Sequence, residues 1–499
     1  MKSKSVIVIG AGIGGIVAAT HLARRGIRVT VIEKNRHAGG RCDHISRDGH
    51  HFDTGPTLLV MPLLYEAEFA ALGAKASMRE RLDLQRVDPT YHLVFDDGSR
   101  LALTSDMKSM QEQLEAFEPG SFRGLLRYLD EGRRHYHLGI ERLVNRDFRT
   151  ASEFFSFKNI PLLYQLKPLV NHYRNMSAYF DDPRLKAAFT FQDVYMGLSP
   201  FEAPATFSMM PYTELAHGVW YPRGGMYGIV EVLMDLAREA GVEFVFNSPV
   251  EKIDVNAVHA RGVILQNGEH LNADVVLANA DLPYIYNDLL PEKNFAGAIS
   301  RKRFSCSVIS FFWGLDRKYE SLPPHTLFLA HDYRENFKSI IQDLGLPANP
   351  SMYIHAPARL DAAMSQQGED TLIAIVPVGH MSGNGSCEQD WGQIRDEARQ
   401  HVFRRLASLG INDLESHIKF ETTFTPLSWR RRYNLMKGST HGLCHNLTQL
   451  GYFRPRNKHP RYQNLYFAGA STHPGTGMPT AMVSGRLSAK RIMDDFQMD

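Results

Sequence analysis

Ser5-Val-Ile-Val-Ile9-Gly10-Ala-Gly12-Ile-Gly14-Gly15 is the stretch on which the fold turns. Ser5 to Ile9 is a short, mostly β-branched run, suited to a buried parallel strand. The glycines follow at once, and Ile16 to Gly26 reads as a helix that a glycine ends. Arg28-Val-Thr-Val-Ile32 is a second strand, and Glu33 closes it. Strand, glycine turn, helix, strand and acid, in that order, predict a βαβ dinucleotide-binding unit of Rossmann type. The glycines permit a tight turn and let backbone approach a pyrophosphate, while the helix N-terminus offers N–H donors and a positive dipole end. Glu33, about two dozen residues after Gly10, is placed to accept from a ribose hydroxyl. Gly10, Gly12, Ile13, Gly14, Gly15, Glu33 and Lys34 are the expected cofactor contacts at this end.

NAD and FAD share that fingerprint, so the neighbouring residues must choose. Ala38-Gly39-Gly40-Arg41 can fold back over the pyrophosphate, with Arg41 available for charge-assisted contacts. Phe52-Asp53-Thr54-Gly55-Pro56-Thr57 comes soon after. Near the other end, Leu465 to Ala468 reads as a buried strand, Gly469-Ala470-Ser-Thr-His473-Pro-Gly475-Thr-Gly477-Met478-Pro479 as a loop, and Thr480 to Phe496 as a helix. Backbone donors at that helix start suit the flavin edge that gains negative charge on reduction. A bare NAD dehydrogenase needs no such terminal element, so the pair of motifs points to FAD. Gly40, Arg41, Gly55, Pro56, Thr57, Gly469, Ala470, Gly477, Met478 and Pro479 join the expected contacts.

Composition narrows the rest. The chain has 499 residues, long enough for two or three domains, and 43% of them are hydrophobic, as in ordinary globular proteins. Lys and Arg total 56 against 54 Asp and Glu, which gives no reason to expect nucleic acid as a partner. Cys42, Cys306, Cys387 and Cys444 form no CxxC pair and argue for a reducing compartment. His135 and His137 are the closest histidines at a ligand-like spacing; no carboxylate set accompanies them, so they read as a solvated helix face and no metal is expected. Lys2 and Lys4 ahead of an apolar run imitate a secretory signal, but glycines interrupt that run at fixed places. No apolar stretch of about 20 residues occurs, so no spanning helix is expected and the chain reads as cytoplasmic.

Between the motifs, Trp220 to Ala240 reads as a turn feeding a helix, Val242 to Phe246 as a strand, and Arg261 to Leu265 with His270-Leu271 as a hairpin around Gln266-Asn267-Gly268. Ala273 to Ala280 is another buried strand. The fold class is therefore α/β, with a cofactor domain split among 1–85, 220–290 and 455–499. A second, α+β substrate domain would take 86–219 and 291–454, with 110–205 mainly helical and a candidate membrane-facing subdomain. Phe304 to Gly314, Ser351 to His355 and Thr371 to Val378 are its strand candidates; Ser109 to Leu143 and Pro183 to Phe191 are helical by pattern; Gly383-Asn-Gly385 marks a loop. Between Glu153 and Asp181 there is no acid, only apolar bulk (Phe154, Phe155, Phe157, Ile160, Leu162, Leu163, Tyr164, Leu166, Leu169, Val170) with Lys158, Lys167 and Arg174. That strip suits either a membrane interface or packing on the second sheet.

The GGR segment resembles that of the flavoprotein superfamily containing amine oxidases, protoporphyrinogen oxidase and carotenoid desaturases. Phe189-Thr-Phe-Gln192, Tyr195-Met-Gly-Leu-Ser-Pro200-Phe-Glu-Ala-Pro204 and Tyr212-Thr-Glu214 through Gly225 resemble bacterial and fungal phytoene desaturases, as do Phe52 to Pro56 and Gly469 to Gly475. The likeness runs over essentially the whole chain. It implies FAD as the redox cofactor and a long isoprenoid polyene substrate, phytoene, drawn from the membrane into an apolar tunnel. It implies hydride loss to flavin with loss of a neighbouring proton, and reoxidation by oxygen or a quinone. Gly10, Gly12, Gly14, Gly15, Glu33, Gly40, Arg41, Gly55, Val250, Gly469, Met478 and Pro479 match the family's FAD-contact positions. Glu214 is the candidate proton acceptor, with a structural role as the alternative. The chain departs from fungal members in lacking an apolar C-terminal anchor, so attachment is expected to be peripheral, at the inner face of the cell membrane. A C30 desaturase, a carotenoid isomerase or oxygenase, and an amine oxidase are the alternative activities.

Overall fold

The computed structural model describes residues 4–156, 159–382 and 389–497. Strand β1 (Ser5–Ile9) lies at the centre of a five-stranded sheet with β2 (Arg28–Ile32), β3 (Glu243–Val245), β4 (Val275–Ala278) and β5 (Leu465–Phe467). The order is β5-β4-β1-β2-β3, and every pairing is parallel. Val6 to Ile9 are buried on both faces, which is why that run shows no polar alternation. Helix α1 (Ile13–Ala23) begins three residues earlier than its apolar pattern indicates, because Gly14 and Gly15 already lie in it. It packs between α2 (Gly228–Glu239) and α3 (Met478–Phe496). At the α1–α3 crossing, a Cβ on Gly485 would stand 2.3 Å from the carbonyl oxygen of Gly14, so the two helices touch backbone to backbone.

The three strands of the hairpin region, Val250–Val255, Ala260–Leu265 and His270–Asn272, form a small antiparallel sheet. A seven-stranded sheet makes the second core. Its order is Ile418–Phe424, Ser307–Leu315, Asp370–Val378, Met352–His355, His325–Leu329, Tyr91–Phe95 and Arg100–Leu103. All its pairings are antiparallel except that of His325–Leu329 with Tyr91–Phe95.

The helical part departs from the sequence reading in two places. Ser109 to Leu143 is not continuous: Met107–Phe117 and Ser121–Gly139 are separate helices, broken at Pro119-Gly120 where Gly120 has φ +84°, and a π-helical turn Ile140–Val144 follows. His135 and His137 do not share a solvated face. Two residues turn a helix by about 200°, so the pair points to opposite sides. His137 is exposed, whereas His135 is buried with Nδ1 2.7 Å from Ser208 Oγ and Nε2 2.8 Å from the Gln165 carbonyl.

The acid-free strip folds as short helices, Ala151–Phe154, Ile160–Leu166 and His172–Met176. Leu166 enters the interior, while Phe155, Tyr164 and Leu169 are 59%, 87% and 85% exposed. Phe157, Lys158, Cys387 and the Gly383-Asn-Gly385 loop lie outside the described residues. Among the described residues no helix is long and apolar enough to cross a membrane.

Candidate active site

The glycine turn after β1 is locked from two sides. Gly10 has φ +93° and donates its N–H to the Ile32 carbonyl at 2.8 Å. A Cβ on Gly15 would lie 2.3 Å from the Gly10 carbonyl oxygen, so only glycine lets α1 start this close to the strand. Asn279, just past β4, fills the space behind the turn and donates to the Gly10 carbonyl at 3.2 Å. A Cβ on Gly12 or Gly14 would meet its amide group at 2.9 and 2.7 Å. Glu33 is buried and accepts from the backbone N–H groups of Ala11 and Asn35, each at 2.8 Å. Burial raises its pKa and the two amides oppose the rise. Lys34 donates to Asn434 Oδ1 at 2.8 Å, tying this corner to residues of the distant segment.

Gly39 and Gly40 take φ +116° and +59°, and Gly39 pairs with Gly12. Arg41 donates to the Thr440 carbonyl at 2.8 Å, and the nearby Asp281 carboxylate supports its charge. Gly55 is obligatory here, since a Cβ would lie 1.9 Å from the Arg41 carbonyl oxygen. The C-terminal loop approaches from the other side: a Cβ on Gly14 would be 3.0 Å from the Ala481 carbonyl and 3.4 Å from the Gly469 nitrogen. Arg454 holds that loop. Its guanidinium is buried and donates to the carbonyls of Thr472, Cys444, Gln449, Leu443 and Ala470. With no carboxylate in direct contact, burial pulls its pKa down to about 9. Neither Asn279 nor Arg454 is marked by a local motif, and both act through long-range contacts.

All the expected cofactor contacts except Gly15 line one cavity of about 520 Å³. Gly15 faces the Gly10 carbonyl instead. The N-caps of α1 and α3 are Gly12 and Gly477, and neither helix has a side-chain cap. Both helices thus turn free N–H groups and positive dipole ends toward the same space. Glycine cradle, paired helix N-termini, Arg41 and the Glu33 carboxylate are the donor and acceptor set that a flavin dinucleotide requires. Farther on the wall becomes apolar, with Ile140, Val144, Phe191, Met210, Leu329 and Phe337. Glu214 is not on this wall. It is buried, accepts from Gln192 Nε2 at 3.0 Å, and burial raises its pKa to about 8.

His37, Asp43 and His44 bring ligand atoms within 4.8 Å of one another. Asp43 is already held by Arg432 at 2.6 Å and by the Tyr433 hydroxyl at 2.8 Å, and the guanidinium charge opposes a cation there.

Residues 13–493 match the family model described as flavin containing amine oxidoreductase. A phytoene desaturase of Fusarium fujikuroi is 39% identical, over 99% of this chain and 90% of that protein. A zeta-carotene-forming phytoene desaturase of Myxococcus xanthus is 40% identical, over 99% of this chain and 94% of that protein. Among solved structures, putrescine oxidase with bound putrescine shares the fold at a TM-score of 0.64 and 15% identity, covering 99% of each chain. The chain belongs to the flavin containing amine oxidoreductase family, on the phytoene desaturase branch that it shares with these two relatives.

Proposed function

We propose that the protein is an FAD-dependent desaturase of a long isoprenoid polyene, with phytoene as the substrate that its relatives' names indicate. The observation that carries this reading is the continuity of the cavity, which runs from a dinucleotide cradle into an apolar tunnel. Glu33 would hold the ribose, while the N-terminus of α1 and Arg41 would hold the pyrophosphate. The N-terminus of α3 would lie beside the flavin ring. When bound, a flavin supplies a two-electron acceptor for hydride from carbon. The chain's part is to seat the polyene and exclude water. A hydrocarbon offers no polar handle, so dispersion along the apolar wall must align it.

Such a substrate resides in lipid, and the exposed strip is the proposed docking face. Phe155 stands with Phe154, Tyr452 and Phe453 in an aromatic cluster with centroid separations of 5.1, 5.8 and 6.0 Å. Ile140 and Val144 of the tunnel wall come from the segment just before this strip, which supports entry from that side. Peripheral attachment at the inner face of the cell membrane, with oxygen or a quinone taking the electrons, completes the proposal. Co-expression with a phytoene-producing pathway tests it: chromatography should show coloured polyenes replacing phytoene. Unchanged phytoene beside a flavin-loaded protein would overturn it.

A further inference from the structure

Desaturation removes a hydride from one carbon and a proton from its neighbour, and the proton needs an acceptor. Glu214 is off the cavity wall. His441 is on it, but burial lowers its pKa to about 4, and the permanent charge of Arg41 beside it further opposes a proton there. Among the described wall tyrosines, Tyr353 is set apart by an imidazole behind its hydroxyl; the Tyr433 hydroxyl is backed instead by Asp43, which Arg432 already holds. The hydroxyls of Tyr91 and Tyr195 bond to each other, and that of Tyr333 bonds to Thr190 Oγ1 at 3.4 Å. The Tyr353 hydroxyl lies 2.6 Å from His325 Nδ1 and 3.0 Å from Thr57 Oγ1.

Strand register builds this arrangement. His325–Leu329 and Met352–His355 are antiparallel neighbours in which His325 pairs with His355. The His325 ring is buried and lies near-parallel to two neighbours, with His355 at 4.5 Å and Tyr353 at 5.9 Å. Burial holds the His325 pKa well below its ordinary value, so the resting imidazole is neutral and a proton placed on it is held only transiently.

We propose that Tyr353, backed by His325, takes the proton lost from the substrate carbon. This rests on the desaturase reading. A hydride leaves the substrate with its electron pair, for the flavin as oxidant. As it leaves, the neighbouring C–H becomes strongly acidic, so a neutral base suffices and the proton departs in the same step. That C–H bond breaks and its electrons become the new π bond. The proton passes to the Tyr353 oxygen, while the hydroxyl proton of Tyr353 moves to His325 Nδ1. Thr57 Oγ1, 3.0 Å away, would serve as donor to the Tyr353 oxygen in this step, which leaves the hydroxyl proton for the imidazole. After product leaves, His325 returns its proton through Tyr353 to water entering the cavity.

The test is anaerobic single-turnover bleaching of the flavin by phytoene in liposomes, in H2O and D2O. Tyr353→Phe should slow bleaching about 100-fold or more and abolish the wild-type solvent isotope effect. Its flavin content and melting temperature should stay unchanged. His325→Gln, which leaves the Tyr353 hydroxyl in place, should behave alike, and it carries the test if Tyr353→Phe loads no flavin. A wild-type rate and isotope effect in either loaded variant overturns the proposal. A wild-type protein that phytoene does not bleach overturns the desaturase reading itself, and the proposal with it.

Discussion

Glu33 Oε2 accepts from the backbone N–H of Ala11 at 2.8 Å, so the acid that ends β2 is bonded directly to the turn that opens α1. One side chain thereby fixes the turn and presents its remaining lone pairs to the cavity. Glu33→Ala removes the partner of two amides and, in the proposed site, of a ribose hydroxyl. Flavin affinity should fall by about 1.5–3 kcal/mol, read by titrating apoprotein with FAD. An unchanged Kd would remove Glu33 from the cofactor site.

The turn glycines should differ in what they cost. At Gly12 a methyl meets only the end of the Asn279 side chain, at 2.9 Å, which can swing aside. At Gly15 it meets the Gly10 backbone oxygen at 2.3 Å, which cannot. Gly15→Ala should therefore destabilise the apoprotein by about 1–3 kcal/mol more than Gly12→Ala. Denaturant unfolding of the two apoproteins would show it, and equal stabilities would contradict the packing described. Gly12→Val, with bulk at the cavity wall, should purify without flavin.

Glu214 sets a pH dependence of stability. Its pKa is raised by burial from 4.5 to about 8, so in the folded protein the proton stays on where the unfolded chain has lost it. Stability from this group is complete below about 4.5, falls as pH rises to about 8, and is level above. The loss is on the order of 5 kcal/mol. Glu214→Gln keeps the shape without the charge and should flatten that part of the profile. Parallel profiles for variant and wild type would place the burial wrongly.

The proposed docking face makes a separable prediction. Phe155, Tyr164 and Leu169 are all more than half exposed. Replacing the three with Ser should release the protein from anionic liposomes while flavin content and melting temperature hold. Each aromatic removed from water contributes about 1.5–3 kcal/mol, and each nearby cation about 1 kcal/mol. A large fall in melting temperature with liposome binding intact would show that these residues are core.

Local chemistry made the cofactor end legible. A turn with φ +93° at Gly10 can be read from sequence, because glycine there is a backbone requirement. So can β1 and β4, whose interiors are unbroken apolar runs, and β2, whose Val29, Val31 and Ile32 lie between the helix-ending glycine and Glu33. His325–Leu329 and Tyr91–Phe95 are as long as β1 and β2, but no turn glycine or closing acid marks them, and their identity as strands comes from pairing with each other across more than 200 residues. The Pro119-Gly120 break was hidden because apolar spacing resumes in phase after it. Arg454 reads as an ordinary surface cation until the carbonyls around it are assembled. His325 and Tyr353 meet only through strand register, which no periodicity reports.

The pairing of Val276 with Leu465 has a consequence for how the protein is made. Synthesis runs from the N-terminus, so β4 leaves the ribosome nearly 190 residues ahead of the strand that covers its edge. Through that interval the nascent chain exposes a bare parallel edge and half of a cradle, a form open to mispairing and to capture by chaperones. If Gly469 to Pro479 close the flavin site as proposed, flavin capture waits for them and is among the last events of biosynthesis. A ribosome stalled before residue 465 would release a chain with nearly all of its sequence and no means of closing on its cofactor.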